Sequence, residues 1–362
     1  MSSPTPSLTS LHLSSLHLAP LAKAVALAAA TLGLAAPAHA QSSVSLYGLI
    51  DMSAGQFQDA GTSKVNKVQS GNMATSYFGF GGKEQLSNTL KAKFAIEGFL
   101  LADTGSAGRF SGDAFWARSA WVGLEGDFGS TTLGRTTNQY FVSTLIFNAF
   151  GDSFGYSPSI RQVLIPKAAM LPFLGDTGWS NSLLYSSPSA GGFSFNLQGA
   201  LGEGSASAVG HSVGANVLYF GGPFSATVAY QRVKHGLSGF TPAIVSTGFK
   251  YQDAATIGVA YDAKVVKVFG QYNLVKTEAA TDTETNYFGL GVSVPVGPGK
   301  VLAQYGAATA ELPTGDVKNK TLTVGYDYWL SKATDVYAVY MNDKLTGTNT
   351  GNTFALGLRV KF

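Results

Sequence analysis

From residue 44 to its end the chain alternates between apolar and polar positions. Each run lasts about ten residues and closes on a cluster of turn formers, the period-2 pattern of half-buried β-strands. In Val44–Ala54, Leu46, Ile50, Met52 and Ala54 share one face and Ser45, Tyr47, Asp51 and Ser53 the other, with Leu49 an exception on the polar side. Ser76–Gly82, with Phe78 and Phe80 on one face, forms a hairpin with Leu90–Leu100, where Leu90, Ala92, Phe94, Ile96 and Leu100 oppose Lys91, Lys93 and Glu97. Further runs occupy 114–124, 130–140, 181–187, 193–201, 212–220, 224–233, 255–261, 265–275, 285–294, 300–309, 321–330, 334–342 and 354–362. The pattern predicts sixteen strands, and Thr241–Tyr251, readable as another strand, leaves eighteen open.

The joints fall into two classes. Short turns, such as 221–223 and 331–333, alternate with longer polar loops at 57–73, 102–112, 202–211, 236–254, 276–283, 312–318 and 344–351. Between Tyr140 and Trp179 the rhythm stops altogether, for far longer than the usual loop of about 4–6 residues. That stretch carries Phe141, Ile146, Phe147, Phe150, Phe154, Tyr156, Ile160 and Leu164 but only Asp152, Arg161, Lys167 and Asp176 as charges. Apolar side chains in such number must pack against something. Two placements fit: a segment folded into the mouth or lumen of a barrel, or a lid across its rim.

Composition narrows the class. The 362 residues include no cysteine, 44 glycines, 12% aromatic and 12% charged residues. That charge content is about half the ordinary soluble value. After the leader no run of apolar residues is long enough for a transmembrane helix, which leaves strands with one apolar face as the route through lipid. Residues 1–40 read as a secretory signal: Lys23, an apolar stretch Ala24–Leu34, and Ala38-His39-Ala40 as the cleavage site. Removing Lys23 takes the formal charge from +3 to +2, too little for a nucleic-acid partner. Residues 41–362 then form a single domain, an all-β transmembrane antiparallel barrel of about 16 strands with polar residues facing a water-filled interior. Aromatics near strand ends, among them Tyr230, Tyr272, Trp329 and Tyr340, suit the two membrane interfaces.

Five stretches in order resemble the general porins of Gram-negative bacteria, particularly the betaproteobacterial type. They are SVSLYGLID at 43–51, RSAWVGLEGDFGSTTLGR at 118–135, NSLLYSSPSAGGFSF at 181–195, VGYDYWLSKATDVYAVY at 324–340 and FALGLRVKF at 354–362. The resemblance implies a homotrimer of sixteen-stranded barrels in the outer membrane, amid lipid and lipopolysaccharide, passing ions and small hydrophilic solutes. It implies that the third extracellular loop, about 141–178, folds inward as a constriction. It also marks Phe362, with Leu358 and Val360 on its face, as the terminal signal read by the barrel-assembly machinery. Wall cations facing loop anions are a family feature, and Arg118 and Arg135 match two wall positions. Alternation sets Arg118 on the face opposite Trp121 and hence inward. Asp152 and Asp176 are the candidate loop anions. Tyr77 and Gly81 stand where the family pattern has basic residues, and the usual arginine before Asn181 is missing unless Arg161 reaches the same place.

No phosphate loop, metal cluster or nucleophile motif stands out, so neither enzyme chemistry nor a cofactor is expected. The mature chain's two histidines, His211 and His235, lie in or beside polar loops without the oriented partners of a catalytic triad. Asp51, Lys91, Lys93 and Glu97 are expected as solvated lumen residues, and Trp121, Trp179 and Trp329 as packing or interfacial aromatics. The sequence thus points to a passive diffusion channel, weakly charge-selective and anion-leaning at most. A channel with a saturable site for a sugar or small organic acid, and an adhesive surface protein, are the alternatives.

Overall fold

The alternating runs become one antiparallel sheet that closes on itself. In the computed structural model the described residues are 43–168, 173–202, 211–234 and 248–362, all within the unit Gln41–Phe362. The leader, His235 and positions 241–247 of the possible extra strand lie outside them. The strands are β1 Ser43–Phe57, β2 Val65–Ser70, β3 Tyr77–Gln85, β4 Lys91–Leu101, β5 Ser106–Ala107, β6 Ser119–Gly126, β7 Gly129–Thr137, β8 Gly178–Ser186 and β9 Phe193–Ala200. They continue as β10 Ser212–Gly221, β11 Phe224–Val233, β12 Tyr251–Asp262, β13 Lys267–Glu278, β14 Thr283–Val296, β15 Gly299–Glu311, β16 Val317–Trp329, β17 Thr334–Leu345 and β18 Gly351–Lys361. Since β2 and β3 pair with successive halves of β1, and β5 is a two-residue bridge on β4, these segments build a barrel of sixteen strands. Closure runs from Leu49 opposite Lys361 to Gln56 opposite Phe354. The chain's last residue completes the seam, Gly48 N–H donating to Phe362 O at 3.0 Å and Phe362 N–H to Gly48 O at 3.1 Å.

Hydrophobicity is inverted relative to a soluble barrel. Val217, Val228, Ile257, Leu290, Leu322 and Leu356 are 43–56% exposed, whereas Asn216, Thr227, Thr256, Gln304, Thr321 and Thr353 on the other face are buried. The outward apolar band suits acyl chains.

What covers the polar face is the long segment between β7 and β8. Asn138 ends β7 and starts a helix, α1 Gln139–Ile146, its Oδ1 accepting from the N–H groups of Tyr140 and Phe141 at 2.7 and 3.2 Å. Ser157 caps a second helix, α2 Pro158–Val163, with proline suited to the first turn. Their apolar side chains form two clusters against wall residues: Phe147, Phe150 and Tyr156 with Leu302, Tyr337 and Val339, and Tyr140, Ile160 and Val163 with Ala229 and Tyr287. Two wall glycines permit this approach. A Cβ on Gly258 would lie 2.7 Å from that of Phe147, and one on Gly306 would lie 2.7 Å from that of Pro158.

Three boundaries differ from the sequence pattern. The polar loop expected at 57–73 contains β2, whose Val65–Ser70 pairs residue for residue with Met52–Phe57. The run 114–124 is a strand only from Ser119, and 130–140 only to Thr137, where the Asn138 cap turns the chain into α1. Asp51, expected as a solvated lumen residue, is instead fully buried and spans the break between β2 and β3. Its Oδ2 accepts from the N–H groups of Met73 and Ala74 at 2.6 and 2.9 Å, and its Oδ1 from the Tyr337 hydroxyl at 2.6 Å. Glu97 is likewise buried, while Lys91 and Lys93 pair with Glu125 near the turn end.

Replacing Asp51 with alanine strands two backbone donors and a phenol, so the barrel should lose roughly 3 kcal/mol. The check is the urea concentration at which the heat-modifiable gel band of the folded barrel disappears. Asp51→Asn, which keeps an acceptor, should lie between wild type and Asp51→Ala.

Candidate functional site

Asn138 makes three of the bonds that tie the segment 138–177 at its base. Asn138 N–H donates to Thr177 O at 2.9 Å, and its amide donates to Gly175 O at 2.9 Å and to Gln231 Oε1 at 2.7 Å. The buried Trp179 indole adds a 2.8 Å bond to Gly175 O. From there the segment contacts one wall strand after another. Tyr140 donates to Asn273 at 2.9 Å, the hydroxyls of Ser143 and Thr227 lie 3.0 Å apart, and Gln304 donates to Ser159 at 2.8 Å. Gln162 donates to Thr321 at 2.7 Å, Thr323 to Tyr156 O at 2.8 Å, and Tyr156 to Ser53 at 3.2 Å. These partners lie on β13, β11, β15, β16 and β1, so contact extends round much of the barrel.

Away from these contacts, on β1, β3 and β4 and just before β6, four polar-face residues meet. The Arg118 guanidinium lies 3.8 Å from the Tyr77 ring centroid and hydrogen-bonds Glu97, which also accepts from the Tyr47 hydroxyl at 2.7 Å. Tyr47 meets Tyr77 edge-on, with centroids 6.5 Å apart. The expectation that alternation sets Arg118 opposite Trp121 does not describe this geometry. Trp121 stands opposite Ala95 and Gly134, on the polar face with Ser119 and Glu125, while Val122 and Leu133 are the exposed pair. Arg118 reaches Glu97 because it precedes β6, where the backbone is still irregular. Tyr77, in a position where a base was expected, supplies the ring on which a base from elsewhere rests. A side chain on Gly81 would meet Tyr47, whose hydroxyl lies 3.2 Å from the Cβ site.

Arg135 and Asp176 come together directly. A register shift between Gly134 and Thr136 re-aims Arg135, which donates to Asp176 Oδ2 at 3.0 Å, to Ser180 at 2.9 Å and to Ala117 O. Arg109, from the loop after β4, holds the other Asp176 oxygen at 2.6 Å and Asp113 at 2.9 Å. Burial pushes the Asp176 carboxyl up, but the hydrogen bond and charge of Arg109, with the charge of Arg135, hold it below the usual carboxylate range. Sequence reading missed Arg109, which sits in a polar loop with nothing local to mark it.

Arg161 does not reach the place before Asn181. It pairs with Asp59 at 2.6 Å, beside Lys167, which bridges Asp59 and Asp343 at 3.0 and 3.1 Å. Burial raises Asp59, and the charges of Arg161 and Lys167 more than reverse this, leaving its pKa lowered. Asp152 joins neither group. It is half-buried, burial raises its pKa, and Arg118, Arg359 and Lys361 pull it back without forming an ion pair. Nearer the turn end, Arg359 binds Asp335 and Asp327 at 3.0 and 3.1 Å, a cluster the sequence reading also missed. The terminal Phe354, Leu356, Leu358 and Phe362 are exposed, with Val360 half-buried.

Known proteins share this architecture. The sequence pattern of Gram-negative porins matches residues 24–348. Outer membrane porin protein 32 of Delftia acidovorans is 31% identical over 362 residues, covering 92% of each chain. An outer membrane porin protein of Bordetella pertussis is 26% identical over 379 residues, covering 87% of this chain and 93% of its own. Among solved structures, the anion-selective porin from Comamonas acidovorans superposes with a TM-score of 0.75 at 26% identity, covering 89% of this chain and all of that one. With a closed sixteen-stranded barrel, an apolar outer band and a pattern match over most of its length, this chain belongs to the Gram-negative porin family.

Proposed function

We propose that residues 141–178 fold into the lumen of this porin as its constriction, and that solutes pass beside the Tyr47–Tyr77–Glu97–Arg118 cluster. The protein is a passive channel of the outer membrane and not an enzyme, as befits its family. The observation that carries the constriction is the set of hydrogen bonds between this segment and polar-face side chains of β1, β11, β13, β15 and β16. In a closed barrel with an apolar outer band, the polar face is the side on which water and solute travel. We further propose that residues 1–40 are an export leader to the single domain 41–362. The assembled form would be a homotrimer among outer-membrane lipid and lipopolysaccharide, with Phe362, Leu358 and Val360 presented to the assembly machinery.

Selectivity follows from charge pairing. Arg118 is matched by Glu97, and Arg135 by Asp176, so neither cation acts alone on a passing ion. A unit charge about 8 Å from the path, at an effective dielectric near 20, would shift an ion by roughly 2 kcal/mol, and physiological salt reduces this further. Weak selectivity results, leaning to anions; the similar Comamonas acidovorans porin is anion-selective.

Replacing Ser143–Pro172 with a short glycine–serine linker should raise single-channel conductance severalfold. Unchanged conductance would mean that the segment does not narrow the path. Arg118→Ala should move the reversal potential in a dilute salt gradient toward cation preference by a factor of about 3 in permeability ratio, and Glu97→Gln should move it the other way.

Acid should act in two stages. Asp152, raised by burial, takes up its proton first, and the loss of that anion shifts the reversal potential further toward anions. Asp59 and Asp176, both lowered, keep their ion pairs through mild acidity. Their contribution is full above the unfolded carboxylate pKa of about 3.9 and vanishes as pH falls through the lower folded values. Bilayer recordings should therefore show stable openings at pH 5, with frequent gating only below about pH 4.

A further inference from the structure

We propose that the loop-side vestibule holds a binding site for small aromatic carboxylates of one or two fused rings. This rests on the channel reading above and names a solute class for it. The cavity, about 860 Å³, lies between the β1–β2 hairpin and the long segment. Its walls include Phe57, Phe110, Phe154, Ile165 and Phe173, with Lys67 among them. Phe110 and Ile165 are 40% and 44% exposed, an unfavourable surface to leave wet at the entrance of a channel for hydrophilic solutes.

The charges at this cavity are not equivalent. Arg109 is matched by Asp113 and Asp176, and Arg161 by Asp59, so each guanidinium already holds a carboxylate. Lys67 has no carboxylate within ion-pair distance among the described residues, and its Nζ stands 5.1 Å from the Phe57 ring centroid. Register fixes where it points: Lys67 lies opposite Gly55 and Gln69 opposite Ser53, on the polar face, while Val68 is exposed on the other.

An uncompensated ammonium beside aromatic walls recognises a ligand in two parts. The carboxylate pairs with Lys67, and the aryl ring displaces water from the phenylalanines and Ile165. Acetate would use only the first part. A sugar would leave its hydroxyls without matched partners along apolar walls.

The test uses the full-length protein in planar bilayers at low salt. Added on the loop side, 1-naphthoate should block the ion current saturably, while acetate and the neutral 1-naphthalenemethanol block at least tenfold less well. Lys67→Gln should weaken naphthoate block about threefold to fivefold, and Phe110→Ala should weaken it by a similar factor. Normal conductance with no naphthoate block, or block equal for the neutral alcohol and indifferent to Lys67→Gln, overturns this site and leaves the channel reading standing. Absence of any conductance overturns the channel reading instead. Calorimetric titration of the detergent-solubilised protein with 1-naphthoate then decides the site: saturable heat that weakens in Lys67→Gln supports it, and no heat overturns it.

Discussion

A strand in lipid has no water to bond its backbone, and that constraint shapes the rest of this molecule. Every strand must have a neighbour on both sides, so the sheet has to close. The seam forms at the extreme C-terminus, where Phe362 and Gly48 exchange backbone hydrogen bonds and β18 lies along β1. Closure places the apolar residues of each strand outward against lipid. It leaves the polar residues facing a space that the wall alone cannot fill.

The side-chain core therefore lies where a soluble protein would not put it. In a soluble sandwich the apolar faces of two sheets meet. Here the apolar face is already committed to lipid, and the clusters of Phe147, Phe150 and Tyr156, and of Tyr140, Ile160 and Val163, form against the polar face. This explains why the wall supplies so many asparagines, glutamines, serines and threonines at its contacts with the segment. They are short or neutral partners for backbone and hydroxyl groups, and they bring no uncompensated charge into a confined space. Glycines such as Gly258 and Gly306 give the segment room to lie flat.

Charge is handled in the same economical way. Arg118 with Glu97, Arg135 and Arg109 with Asp176, Arg161 and Lys167 with Asp59, and Arg359 with Asp327 and Asp335 are all compensated groups. Each fixes one element to another: strand to strand, loop to wall, segment to hairpin. A barrel of low charge content can then keep a polar interior without strong long-range fields, which suits a channel that discriminates only weakly.

The barrel was legible in the sequence because alternation is a local property: a strand with one face in lipid must repeat with period 2, whatever its neighbours do. The strand number, the joints of unequal length and the exceptional stretch after Tyr140 were readable for the same reason. The partners of each charge were not. Arg118 gains its position from irregular backbone before β6, and Arg135 from a register shift, so counting along a strand cannot aim either side chain. Asp51 and Glu97 look like solvated polar positions in sequence, yet Asp51 caps a strand break across residues 73 and 74, and Glu97 bridges Tyr47 and Arg118. Arg109 and Asp176 are 67 residues apart in sequence and 2.6 Å apart in space. Periodicity belongs to the chain, and it determined the barrel; proximity belongs to the closed sheet, and only the tertiary structure decided which charges meet.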